Sequence, residues 1–145
     1  MSQIQQTGGC VCGRVRYACS AAPLRVTVCH CQWCQRRTGS AFGIQVVYAR
    51  EQVQFTHAEP ARYRHISDES GRWLDQEFCS TCGSNIGLTL EAAPEIQAIS
   101  AGTFDDPSFV DATQLDFRHV FVRSARSWSN IPADLEQYEL HFRSD

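Results

Sequence analysis

Apolar and polar residues alternate at period two along several short stretches of the chain. Val15-Arg16-Tyr17-Ala18-Cys19 and Leu24-Arg25-Val26-Thr27-Val28 do so, which predicts strands that turn every second side chain to a core. The run 42–48 is β-branched and aromatic, and Val53-Gln54-Phe55 alternates again. Similar composition predicts strands over 61–66, 73–78, 85–90, 95–100 and 118–123. Gly8-Gly9, Gly71, Gly83 and Asp105-Asp106-Pro107 predict turns. Helix is scarce: one turn over 32–37, a second near 108–113 and a third near 134–138. Many short strands punctuated by turn residues predict a mainly β fold.

The chain has 145 residues without a Pro-, Gly- or Ser-rich linker, a repeat or a low-complexity segment, so 1–145 is expected to fold as a single domain. No apolar run approaches the roughly 20 residues that cross a bilayer, and no membrane partner is expected. Met1-Ser2-Gln3-Ile4-Gln5-Gln6 carries neither a basic patch nor an apolar segment, so no secretion signal is expected and the expected location is cytoplasmic. All 13 basic residues are Arg, and the net charge is −3. Without a basic surplus there is no general pull toward phosphate backbones, and no nucleic-acid partner is expected. The lack of Lys also removes any Schiff-base lysine mechanism.

Cysteine changes the picture. There are eight, and seven fall in three groups: Cys10-Val11-Cys12, Cys29-His30-Cys31-Gln32-Trp33-Cys34, and Cys79-Ser80-Thr81-Cys82-Gly83. Reduced compartments disfavour disulfides, and cysteines this close make poor cross-links but good chelates. In tetrahedral zinc, bonds of about 2.3 Å put the sulfurs roughly 3.8 Å apart, a separation that a two-residue spacer meets when the chain turns back. Gly83 suits the positive φ that closes such a knuckle, and Gly8, Gly9 and Gly13 let the Cys10–Cys12 segment bend. Thiolate-only sites favour zinc, with an iron–sulfur cluster as the minor alternative. Cys19, on a strand-like segment, is read as a packed core thiol.

The seven remaining sulfurs divide as four plus three. Spacing alone does not say which groups pair. The division adopted makes Cys29, Cys31 and Cys34 a local three-point chelate and joins the other two pairs across the chain. Four thiolates close a structural site, whereas three leave a coordination position open.

At these residues the sequence resembles the glutathione-dependent formaldehyde-activating enzyme and centromere protein V family. The resemblance rests on Gly8-Gly9-Cys10-Val11-Cys12-Gly13-Arg14-Val15-Arg16-Tyr17, on the stretch from Cys29 to Phe42, and on Phe78-Cys79-Ser80-Thr81-Cys82-Gly83-Ser84. Ala101-Gly102-Thr103-Phe104-Asp105-Asp106-Pro107 resembles the Gly-Thr-Leu-Asp-Asp turn of that family, and Arg118-His119-Val120-Phe121-Val122 with Trp128 its last strand and tryptophan. Ser127 stands where the family often has proline. The resemblance implies an Mss4-like fold of short antiparallel strands around two zinc sites. It implies a structural Zn2+ on Cys10, Cys12, Cys79 and Cys82, and a catalytic Zn2+ on Cys29, Cys31 and Cys34. It implies a carbon–sulfur lyase whose partners are a small thiol such as glutathione and a small aldehyde such as formaldehyde, joined in S-hydroxymethylglutathione. The alternative is a non-catalytic zinc-stabilised binding module.

Other candidates carry two readings. Arg36 and Arg37 either offset thiolate charge and hold a substrate carboxylate, or form a solvated pair. His30, between two ligands, is expected behind the sulfurs or in solvent, because neighbouring side chains of an extended segment point oppositely. His57, His65, His119 and His141 show no metal spacing. Ser40 is read as a turn residue, Asp105 and Asp106 as caps of backbone amides, and Trp33, Trp73 and Trp128 as core.

Overall fold

The computed structural model describes residues 5–141. A small antiparallel sheet contains β1 (Gln6–Gly9), β2 (Arg16–Cys19) and β5 (Val53–Phe55), in the order β1-β2-β5. A large sheet contains β3 (Arg25–Cys29), β4 (Gly43–Ala49), β6 (Ala61–Ile66), β7 (Trp73–Phe78), β8 (Asn85–Leu90), β9 (Ala93–Ser100), β10 (Phe117–Val120) and β11 (Glu136–Gln137). Its order is β11-β10-β3-β4-β9-β8-β7-β6. The pairing is antiparallel, except that β10 runs parallel to both β3 and β11. The single α-helix among the described residues, α1 (Gln32–Thr38), follows β3. The fold is mainly β, as the alternation predicts.

The two sheets share one core. Val15, Tyr17 and Cys19 from the small sheet and its approach meet Val26, Val46, Tyr48, Ile86 and Ile99 from the large one. Tyr17 sits at the centre, edge-on to Phe55 and Phe104, with its hydroxyl 2.7 Å from Thr103 Oγ1. Burying each such side chain stabilises the fold by roughly 1.5–3 kcal/mol. Cys19 is fully buried here, and burial pushes its thiol up to about 12, as befits a packing residue.

The central strands of the large sheet are buried on both faces, which is why they read as near-continuous apolar runs. One face carries Val26, Val46 and Ile99 into the shared core. The other carries Thr27, Gln45, Val47, Ala98 and Leu88, and it lies under α1 and the segment after β10.

Four expectations are corrected. Gly8-Gly9 is the end of β1 rather than a turn: a Cβ at Gly8 would overlap the Tyr17 hydroxyl and the Thr103 carbonyl, so glycine is there for close approach. The strand expected over 118–123 stops at Val120, because Phe121 takes the left-handed conformation at φ 56° and a 3₁₀ turn, Val122–Ser124, follows. No helix forms near 134–138. Glu136–Gln137 instead pairs with β10, whose free edge outweighs the weak helical preference of a five-residue segment. Near 108–113 there is only a 3₁₀ turn, Pro107–Phe109, and a turn stabilised by Asp111 accepting from Thr113 N–H at 2.9 Å.

Candidate metal centres and the cavity beside them

The sulfurs of Cys10, Cys12, Cys79 and Cys82 all lie within 4.8 Å of one another. Cys10 and Cys12 follow β1, where Gly13 at φ 82° donates its N–H back to Cys10 O at 3.2 Å and turns the chain. Cys79 and Cys82 lie between β7 and β8. A register shift at Glu77/Phe78 bends the strand just before Cys79, and Gly83 at φ 79° closes the turn onto Cys79 O at 2.8 Å. Sulfur separations of 3.6 Å for Cys10–Cys12 and 3.8 Å for Cys12–Cys79 are too long for disulfides and match the spacing in a tetrahedral thiolate site. Val15 N–H points at Cys10 Sγ (3.2 Å), and Thr81 N–H at Cys79 Sγ (3.4 Å). Ser84 ties the two loops, accepting from Val11 N–H at 3.0 Å and touching Cys82 Sγ at 3.2 Å. The bonds from Ser84 bring the Cys82 thiol down to about 5.

The second group is Cys29, Cys31 and Cys34, whose sulfurs also lie within 4.8 Å of one another. Cys29 ends β3, Cys31 caps α1, and Cys34 lies in the helix. The Cys31 sulfur accepts from Cys34 N–H at 3.3 Å, doing the work of an N-cap oxygen. Gly39, left-handed at φ 68°, ends α1 and donates to Gln35 O at 2.8 Å. A helix this short needs outside support. Gln35 supplies it, donating from Nε2 to His30 O at 2.8 Å and to Ser124 O at 3.0 Å.

Of the two basic residues after the chelate, Arg36 is exposed and Arg37 turns inward. Arg37 Nη2 lies 3.7 Å from Cys34 Sγ, and its guanidinium lies 5.2 Å from the Trp33 ring centre. Gln45 accepts from Arg37 Nη2 at 3.2 Å and donates to Thr27 O at 3.1 Å. Gly43, paired with Cys29 across β3 and β4, leaves the space: a Cβ there would stand 2.6 Å from Arg37 Nη2. Contacts from Cys29 and Cys31, then the Arg37 charge, hold the Cys34 thiol well below its ordinary value, while contacts from Cys31 and Cys34, then burial, push Cys29 well above. Both donor sets are all sulfur and suit a soft divalent ion such as zinc.

His30 is fully buried with Nε2 2.9 Å from His119 Nδ1, its ring against Phe42, and belongs to neither sulfur group. Burial holds both imidazoles below their ordinary value. Asp106 caps Ser108 N–H at 3.1 Å as expected. Asp105 does not cap an amide: it takes a two-point ion pair from Arg16 at 2.8 and 2.6 Å and a hydrogen bond from Thr7 Oγ1. Ser40 is an exposed turn residue. The reading of all three tryptophans as core does not hold. Trp128 is 72% exposed, Trp73 is half-buried beneath the Arg64 guanidinium, and Trp33 is half-buried beside the second sulfur group.

A cavity of about 550 Å³ opens beside Cys29, Cys31 and Cys34 and is walled by Trp33, Gln45, Arg25 and Arg123. None of the other four clustered cysteines lines it. Trp33 stacks on His65 of β6 with ring centres 5.3 Å apart, and Arg123 pairs with Glu69, so both contacts border the cavity. His65, Gln45, Arg25 and Arg123 carried no local signal in the sequence; strand pairing brings them to the sulfurs.

The family model described as glutathione-dependent formaldehyde-activating enzyme matches residues 5–124. The crystal structure of a Rhodobacter sphaeroides protein is similar at a TM-score of 0.56 and 19% identity, covering 72% of this chain and 94% of that one. That likeness supports the fold. No curated protein matches the chain.

Proposed function

The chain belongs to the glutathione-dependent formaldehyde-activating enzyme family, and from that membership we propose that it is a zinc-dependent carbon–sulfur lyase acting on a thiol–aldehyde adduct, S-hydroxymethylglutathione or a similar small thiohemiacetal. The observation that carries the reading is the asymmetry of the two sulfur groups: the three-sulfur group borders the cavity of about 550 Å³, and the four sulfurs of the other group do not line it. Cys10, Cys12, Cys79 and Cys82 would hold a structural zinc, and Cys29, Cys31 and Cys34 a catalytic one. When bound there, the ion would supply an open position at which a thiol is acidified.

The reaction balances without an oxidant or reductant. In the synthetic direction the thiol sulfur bonds to the aldehyde carbon, the carbonyl π pair moves to oxygen, and the proton given up by the thiol ends on that oxygen. The lyase direction is the reverse. Arg37, fixed by Gln45 and Trp33, tempers the negative charge of Cys34. Arg25 and Arg123 line the cavity where a glutathione-like substrate would present its carboxylates. Trp33 and His65, stacked on each other, wall one side of the cavity.

The test is calorimetry of the zinc-loaded protein against glutathione and other small thiols, followed by turnover with several aldehydes. Binding of thiols and turnover are expected, and both should be lost in Cys31→Ser. Serine is a favoured N-cap, so that variant keeps α1 while removing a sulfur. Absence of thiol binding and turnover across the panel would leave the binding-module reading instead.

A further inference from the structure

The cavity has two unlike ends, and the chemistry above uses only one. Away from the sulfurs its floor is aliphatic. Pleating places Val47 on β4, Ile96 and Ala98 on β9, Leu88 and Leu90 on β8, and Leu74 on β7 along it. The ladders align them in rows: Val47 opposite Ala98, Ala98 opposite Leu88, and Leu90 opposite Leu74. Three inter-strand steps of about 4.8 Å separate β3, which carries Cys29, from β8, so the floor extends roughly 14 Å from the reacting end. A one-carbon aldehyde at the sulfurs covers none of it. Glutathione does not suit it either, since its carboxylates would lose their hydration over aliphatic side chains without a partner. The arginines that could receive them stand in the walls.

We infer that the preferred adduct carries an aliphatic chain of several carbons lying on the floor formed by Val47, Leu74, Leu88, Leu90, Ile96 and Ala98. This rests on the lyase reading and narrows its substrate class. The bond changes are unchanged: a carbon–sulfur bond forms or breaks at the sulfur end while the chain stays bound. The Trp33–His65 stack and the Glu69–Arg123 pair border the same space.

The experiment titrates straight-chain thiols, from ethanethiol to octanethiol, and the matching alcohols into the zinc-loaded full chain. Thiol affinity is expected to rise roughly fourfold per added methylene, the effect of burying one, until the floor is covered. Ala98→Phe fills the floor, and Leu90→Asn makes its far end polar; each should bring the ratio of octanethiol to ethanethiol affinity toward one. Metal content and circular dichroism report whether each variant folds, and the wild-type series decides the matter if one does not. A flat thiol series with binding intact overturns the inference and leaves the lyase reading standing. Alcohols that bind as tightly as thiols, with the same dependence on length, uphold the floor and overturn the lyase reading. Failure of every probe to bind overturns both.

Discussion

Removing the two sulfur groups should have unequal consequences for stability, and the inequality follows from where each lies in the chain. An ion held by both Cys12 and Cys79 would join positions 67 apart in sequence. By the chain-entropy relation for a cross-link, closing such a loop stabilises the fold by about 4 kcal/mol. That is a large part of a stability of roughly 5–15 kcal/mol. Cys29, Cys31 and Cys34 enclose only a few residues, for which the same relation gives about 2 kcal/mol, and the α1 caps already order part of that segment. The clean perturbation is Cys12→Ser with Cys82→Ser, because both side chains are exposed while Cys10 and Cys79 stay packed in place. For a domain of this size about 4 kcal/mol lowers the melting temperature by roughly 8–16 °C, and Cys31→Ser should cost at most half as much. Thermal melts alongside metal analysis decide it. A double variant that has lost one ion per chain yet melts within 2–3 °C of wild type, about the shift expected from 1 kcal/mol, would refute the cross-link argument.

The remaining predictions concern the surroundings of the sulfurs and one ion pair. Arg37→Met removes the donor beside Cys34 and should weaken metal binding at Cys29, Cys31 and Cys34 by roughly 10–100-fold in chelator competition; unchanged affinity would separate Arg37 from the site. Gly43→Ala should displace the same guanidinium and weaken metal binding in the same direction with little change in melting, because the clash falls on the end of a flexible side chain. Arg16 and Thr7 hold the Asp105 carboxyl down at about 2, so its contribution is present above about pH 4 and lost as pH falls toward 2. Asp105→Asn should therefore lower the melting temperature slightly at pH 7, by well under that expected from 1 kcal/mol for so exposed a pair, with the gap to wild type closing in acid. A gap that widens on acidification would contradict the assignment.

Local signals in the sequence carried much of this architecture, and the parts they missed have a common cause. Strands at 53–55, 61–66, 73–78 and 85–90 coincide with β5, β6, β7 and β8, because alternation and β-branching are properties of the segments themselves. β1 and β11 owe their form to neighbours. Gly8 extends so that Tyr17 can pass beneath it, and Glu136–Gln137 extends because β10 offers an edge. The Cys29, Cys31 and Cys34 group was legible for the same local reason, its three members lying within six residues. Joining the Cys10 and Cys79 segments was a choice that spacing left open, and it required β7 to bend at Glu77/Phe78. The cavity was the least visible feature. Val47, Leu88 and Ala98 make their strands apolar on both faces, and such a run reads the same whether its second face packs against protein or surrounds a ligand. Here that face shares a cavity of about 550 Å³ with α1, the end of β6 and the segment after β10. Aliphatic side chains in an open space of that size gain from an apolar occupant what they would otherwise gain from a packed layer. The doubly apolar strands are therefore part of the recognition surface as well as of the fold.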